Sequence, residues 1–214
     1  EAERDSGAEY PQQPLGIIKL IEVLYDGQQV IVGDAGKLAL VFELMEMNLY
    51  ECLKNKRKHL TMHKIKYYMF QVLRAIEYMH RKNIFIANQA LEILVTDDLV
   101  KVADLGSCKG TVHSDLGRHS QQPYTEYIST RWYRAPECLM TDGYYNEKMD
   151  IWGFGCVLFE LIKKVPLFPG RDELDQVHLI HQVLGTPKPE ILERFKSRAT
   201  HMEFNFPPKK GVGL

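Results

Sequence analysis

The stretch from Lys148 to Lys163 is apolar on nearly every side, with Met149, Trp152, Phe154, Cys156, Val157, Leu158 and Leu161 distributed all round a helical turn. A helix without a polar face must be wrapped by other elements, so the spacing predicts a helix through the centre of a core. The chain carries candidates for the wrapping. From Thr61 onward, Ile65, Met69, Val72, Ile76 and Met79 recur at three- and four-residue steps, which predicts a long amphipathic helix. Leu174, Val177, Ile180 and Val183 predict another, closed by Gly185 and Pro187. Earlier, the period is different. Residues 17–25 and 37–44 alternate or run apolar around a Gly/Asp-rich connection and read as an antiparallel strand pair. Two shorter β-branched runs, Ile93-Leu94-Val95 and Val100-Lys101-Val102, lie between Ala87-Asn88-Gln89-Ala90 and Asp104-Leu105-Gly106. A small opening sheet followed by a mainly helical body is an α+β arrangement.

Composition narrows the function classes. With 214 residues and 45% hydrophobic content, the chain can bury a substantial core. Its 27 basic and 28 acidic residues balance, which gives no bulk charge to attract nucleic acid or a membrane surface. Cys52, Cys108, Cys138 and Cys156 are far apart with no C-x-x-C pair, as expected of reduced thiols. No apolar run approaches the ~20 residues of a membrane span, and the charged residues 1–5 are unlike a signal peptide, so the expectation is a cytosolic or nuclear protein. Residues 1–14 lack periodicity and read as a mobile tail, and residues 189–214 mix aromatics, prolines and lysines without a pattern. The polar stretch 107–134, rich in Gly, Ser, His and Thr, is too long for an ordinary connection and is the place to look for regulation.

The sharpest motif is Tyr124-Thr125-Glu126-Tyr127-Ile128-Ser129-Thr130-Arg131-Trp132-Tyr133-Arg134-Ala135-Pro136-Glu137. Its plain reading is a polar loop entering a helix at Pro136, the first-turn position that proline favours. It also follows the D-x-G of Asp104 and precedes Asp150-Ile151-Trp152-Gly153-Phe154-Gly155, so three elements occur in one order. Together they resemble the protein kinases, and T-E-Y with S-T-R-W-Y-R-A-P-E-C-L resembles the group that includes mitogen-activated and cyclin-dependent kinases. Glu43-Leu44-Met45-Glu46-Met47-Asn48-Leu49-Tyr50-Glu51, Pro166-Leu167-Phe168-Pro169-Gly170 and the segment Phe204 to Gly211 extend the likeness, which covers residues 17–214.

The resemblance implies a partial kinase domain over 15–214. A remnant of the N-lobe sheet takes 15–44, the hinge 43–48 and a mainly helical C-lobe 49–214. It implies ATP and Mg²⁺ as cofactors, and protein substrates or upstream kinases as partners, with no nucleic acid and no membrane. Phe42, Glu43 and Met45 would meet the adenine edge, and Asp104 would hold the metal. Thr125 and Tyr127 would be regulatory phosphorylation sites, with Arg131, Arg134 and Lys109 as phosphate-binding cations. It also implies further helices, one with an arginine that pairs with Glu137.

Against that pattern the loop at 86–92 departs. Kinases place H-R-D-x-x-x-x-N there, whose Asp takes the substrate hydroxyl proton, with a lysine two positions later and an Asn on the metal. Here Ile86-Ala87-Asn88 stands in the place of H-R-D and Ala90 in that of the lysine. The interval to Asp104 is one residue short, with the gap placed where the metal-binding Asn would follow Glu92. Asn88 occupies the base position, and Thr130 is counted with it among the catalytic positions. These 214 residues contain no G-x-G-x-x-G, and Lys19 in Ile17-Ile18-Lys19 falls where the family has an exposed lysine. Weak nucleotide binding is expected. Three readings follow: a catalytically impaired relative acting as a binding module, an active Ser/Thr kinase with an incomplete or mis-assembled sequence, or the product of a decaying gene.

Overall fold

The computed structural model describes residues 16–26, 37–54, 60–87, 91–111, 131–200 and 205–214. The mobile-tail expectation for 1–14 lies outside them. Strands β1 (Leu20–Asp26) and β2 (Lys37–Phe42) pair antiparallel, as the alternation predicts. Ile21, Val23, Leu24, Leu38, Leu40 and Phe42 remain exposed on this two-stranded ribbon. A lone hairpin is marginal in water, so its attachment to the body matters. The attachment is main-chain. Ile18 N–H donates to Val102 O at 3.0 Å and Val102 N–H to Gly16 O at 2.8 Å, which seats residues 16–18 along the edge of a second sheet. Gly16 permits the approach, since a Cβ there would lie 3.0 Å from both Ala75 Cβ and Gln71 O.

That second sheet orders β3 (Met47–Asn48), β5 (Glu92–Thr96) and β6 (Leu99–Ala103), all antiparallel. Between β3 and β5 in the chain come helices α1 (Leu49–Lys54) and α2 (Met62–Arg81) and strand β4 (Ile84–Phe85). Thr61 starts α2 by accepting the Lys64 N–H on its hydroxyl at 3.3 Å. Ile65, Tyr68, Met69, Val72, Ala75, Ile76 and Met79 form the buried face of α2. They pack against Ile93, Val95, Val100 and Val102 of the β5–β6 hairpin to make the main core. Gln71 locks the hairpin to the helix, accepting from Val100 N–H at 3.1 Å and donating to Asp98 O at 2.9 Å.

After β6 come a 3₁₀ turn at Leu105–Ser107 and β7 (Lys109–Gly110), which pairs with β4. A further 3₁₀ turn, Arg131–Tyr133, leads into α3 (Pro136–Met140), with Pro136 in its first turn. Then follow α4 (Lys148–Lys163), α5 (Glu173–Leu184) and α6 (Pro189–Lys196). Asp172 caps α5 by accepting from Asp175 N–H at 2.8 Å.

The expectation for α4 needs a correction. The helix does run between cores, with Leu161, Phe154, Val157 and Leu158 in the main one and Met149, Trp152 and Cys156 in two others, but Ile151, Gly155 and Ile162 are exposed, so one strip of it stays open. This strip helps line an open cleft of about 460 Å³ with Phe159, Leu167, Phe168 and Glu137. Burial pushes the Glu137 carboxyl above its ordinary range, outweighing the nearby Lys148. The segment after Pro189, patternless in sequence, resolves into α6 and an extended strap over 205–214. The strap runs along the end of α5 through Val212 N–H to Gln182 O at 3.0 Å and Gly213 N–H to Val183 O at 2.9 Å.

Candidate functional site

One buried carboxylate organises the centre. Asp150, in the first turn of α4, is 2% exposed and accepts from Ile86 N–H at 2.9 Å, Ala87 N–H at 3.3 Å and His80 Nε2 at 2.8 Å. An ionised carboxylate only accepts, so His80 is the donor in the last contact. The bonds hold the main chain of 84–87 between α2 and α4, with Phe85 and Ile86 buried and Ala87 at φ 52°. The β4–β7 pair, Ile84 with Gly110 and Phe85 with Lys109, ties this loop to the segment after Asp104. The frame of a catalytic loop is therefore built. Its side chains are the unusual part: a methyl at Ala87 and a buried alkyl at Ile86. Asn88 and Thr130 lie outside the described residues.

Asp104 follows β6 in the left-handed region, φ 54° and ψ 59°, and opens the 3₁₀ turn. Across the ladder, Glu92 pairs with Ala103, the residue before Asp104. The Glu92 carboxyl is raised above its ordinary value, first by burial and then by the negative charges of Asp104 and Glu51. Two carboxylates thus converge at one end of the hairpin. Hard oxygen donors of this kind suit Mg²⁺, so the residues present fit the divalent cation that kinases employ. Asp150 is the position that sequence reasoning passed over: it was read only as part of a motif in chain order, because its partners Ile86 and His80 lie 64 and 70 residues earlier in the chain.

The hinge residues are held from below. Glu43 accepts from Lys19 N–H at 2.6 Å and from Lys101 Nζ at 2.5 Å. Burial works to raise its carboxyl, yet the bonds from Lys101 and Lys19 outweigh it and hold Glu43 below the ordinary range. The Glu43 side chain and its main-chain N–H, which donates to Lys19 O at 3.0 Å, are both engaged in holding the hinge to the strand before it. Thr96 Oγ1 donates to Met45 Sδ at 3.7 Å and accepts from Glu46 N–H at 2.9 Å, fixing the turn after Met45. Phe42 ends β2 and is exposed.

Two of the three cations expected around the phosphorylation sites, Lys109 and Arg134, are already engaged. Burial lowers Lys109 to about 8, and its ammonium lies 3.2 Å from the Tyr145 hydroxyl. Arg134 Nη1 is 3.3 Å from Glu173 Oε1 at the start of α5, while Arg131 is exposed. Neighbouring residues anchor the segment. Trp132 Nε1 donates to Gly170 O at 3.0 Å, and Tyr133 Oη donates to Glu160 Oε2 at 2.5 Å. Burial, then the Glu160 bond, push the Tyr133 phenol far above its usual range. Thr125 and Tyr127 lie outside the described residues.

A helical lobe built round Asp150, a left-handed Asp104 at the end of a β-hairpin, and a hinge entering from a small sheet define the lower lobe of a protein kinase. The chain belongs to the protein kinase family and to its mitogen-activated and cyclin-dependent kinase group: the family model described as "Protein kinase domain" matches residues 13–205. It is 48% identical over 200 residues to the MAPK/MAK/MRK overlapping kinase of Homo sapiens, covering 92% of this chain and 44% of that protein. The Mus musculus protein of the same name is 49% identical over 200 residues, with the same coverage. The serine/threonine-protein kinase MAK of Homo sapiens is 36% identical over 200 residues, covering 92% of this chain and 30% of that protein. The chain therefore spans less than half the length of these relatives.

Proposed function

We propose that this member of the serine/threonine protein kinase family is catalytically impaired and acts as a binding module for activators or substrates of its active relatives. The observation that carries the reading is the loop after β4, where a well-anchored main chain ends on Ala87 and the sequence continues with Asn88. An amide orients a hydroxyl but does not accept its proton, and loss of a general base costs ~10²- to 10⁴-fold in rate. Ala90 adds the loss of the phosphate lysine. Without a glycine-rich loop among these residues, the hinge and Asp104 support only weak nucleotide binding. Because a ligand raises stability by RT ln(1 + [L]/Kd), millimolar MgATP should shift the melting temperature barely. The test of impairment is the Asn88→Asp variant, assayed for phosphate transfer to a generic basic protein. No gain is expected, since the lysine and the phosphate clamp are still missing; transfer at an ordinary kinase rate would show the defect to be one residue deep and overturn the reading.

A second reading, an active enzyme with a mis-assembled sequence, is favoured by the intact Asp150 anchor beneath an altered loop. The transcript across residues 80–95 decides between them: an H-R-D there restores the enzyme.

A further inference from the structure

We propose that the strap over 205–214 is a pH-sensitive latch, held on α5 by uncharged His178 and His181 and released when these imidazoles take up protons. His181 lies in the last turn of α5 and is 2% exposed. The Phe206 ring of the strap meets it edge-on, with centroids 4.8 Å apart and planes at 89°. The Nε2 of His181 is buried and has no partner among the described residues. A protonated ring donates from both nitrogens, so this site has nothing to receive the second proton. One turn earlier, the His178 ring faces Lys209 Nζ of the strap, with Nδ1 at 3.3 Å. An ammonium only donates, so the contact requires an imidazole that is neutral at the nitrogen it presents. Both histidines therefore meet the strap in a form that a proton destroys.

The strap is the part of the lobe that such a change can free. All of its residues except Phe206 and Gly211 are exposed, so it buries little apolar surface of its own. Its attachment is a short set of bonds: Thr186 N–H to Lys209 O at 3.0 Å, Thr186 Oγ1 to Pro207 O at 2.9 Å, and the two main-chain bonds from Val212 and Gly213. Segments held in this way open before the core does. The charges that bear on His181 are Lys209 from the strap and His178 from its own helix, and no carboxylate offsets them. The acidic group that His178 influences, Asp175 at the preceding turn, is taken by Arg171, whose main-chain N–H and Nε reach it at 3.0 and 3.1 Å. Burial, then Lys209 and His178, hold the His181 ring below its ordinary 6.5, so the attached strap refuses a proton that the detached one accepts. Attachment is therefore full above that value and weakens as pH falls below it. Leu214 follows Gly213 and lines the open cleft beside α4 with Leu184 and Phe168, so release takes away one wall of the cleft.

The experiment is hydrogen exchange of the full chain, read by mass spectrometry at pH values of about 7.5 and about 5.5 and corrected for the intrinsic rate. Protection of the strap should fall by at least about threefold at the lower pH, and by at most about tenfold per histidine and pH unit, while α2 keeps its protection. His181→Gln should lose most of this difference, and the double variant His178→Gln/His181→Gln all of it. Lys209→Met changes an exposed side chain, so it keeps the fold, and it should show a smaller difference than the parent because the facing cation is gone. Equal protection of the strap at both pH values in the parent, or a parallel loss in α2, which would mark loosening of the whole lobe, overturns the proposal. A parent-like difference in the double variant overturns it too. Where the histidine variants do not fold, Lys209→Met decides, and a parent-like difference there refutes the latch. Phosphate transfer is not read, so the outcome is independent of whether the chain is active.

Discussion

Replacing Asp150 by alanine tests whether one carboxylate holds the loop frame. Its two oxygens take three donors, Ile86 N–H, Ala87 N–H and His80 Nε2, at 2.8 to 3.3 Å, at a site 2% exposed. Hydrogen bonds to a charged group are worth about 1.5–3 kcal/mol each, and a buried main-chain donor left without a partner costs about 1–3 kcal/mol. The Ala87 contact is long and half-exposed, so it counts for little. Loss of the other two gives a destabilisation of roughly 3–5 kcal/mol, in line with breaking a buried charged network. Against a typical total of about 5–15 kcal/mol, that brings the fold near its threshold. Urea unfolding followed by Trp132 and Trp152 fluorescence measures it; with a slope of about 2 kcal/mol per molar, the midpoint should fall by roughly 2 M. His80→Ala should cost about 1–2 kcal/mol, and the double variant less than the sum, because the two share one bond. A change under about 1 kcal/mol for Asp150→Ala would mean that the loop is held by Phe85 and Ile86 packing alone, and the reasoning fails.

Three further outcomes follow from the geometry. Gly211 sits against Val183 O and the Leu184 main chain so closely that a Cβ has no room, so Gly211→Ala should free the 205–214 strap and raise hydrogen exchange at Val212 and Gly213 with little effect on α2. His181 is buried, edge-on to Phe206, with no partner for Nε2 among the described residues, and burial, then Lys209 and His178, depress its pKa below 6.5. As pH falls below 6.5 the unfolded chain takes a proton that the folded form refuses, so stability is full above that value and declines below it by at most about 1.4 kcal/mol per unit; His181→Gln should flatten the profile in pH-dependent melts. Phosphate on Tyr127 should draw Arg134 from Glu173 and protect residues 131–134 from exchange, whereas phosphate on Thr125 should not, because Ala87 stands in place of the H-R-D arginine that would meet it; equal protection in the two forms would mean a cation cluster survives.

Local signals in the sequence reached far. The three- and four-step recurrence from Ile65 to Met79 marks the buried face of α2, and Pro136 marks the start of α3, because both patterns act within a turn or two. What escaped depends on partners distant in the chain. Lys101 looks like an ordinary interruption in a β-branched run, and only the return of Glu43 beneath it explains a lysine that is 9% exposed. The strap has no periodicity, since main-chain bonds to α5 and one close glycine hold it. The role of Asp150 required the fold, which alone brings it to Ile86 and His80, 64 and 70 residues earlier. The open strip of α4 at Ile151 and Ile162 was hidden because an apolar pattern all round a helix says what can be buried, not what is.

The central claim is that the well-anchored loop transfers no phosphate. The direct measurement is radiolabelled phosphate incorporated from MgATP into the chain itself and into a generic basic protein, set against Asp104→Ala under the same conditions. The account predicts that the two proteins give the same background at every time point; transfer by the parent chain above the Asp104→Ala level, growing linearly with time and enzyme concentration, contradicts it.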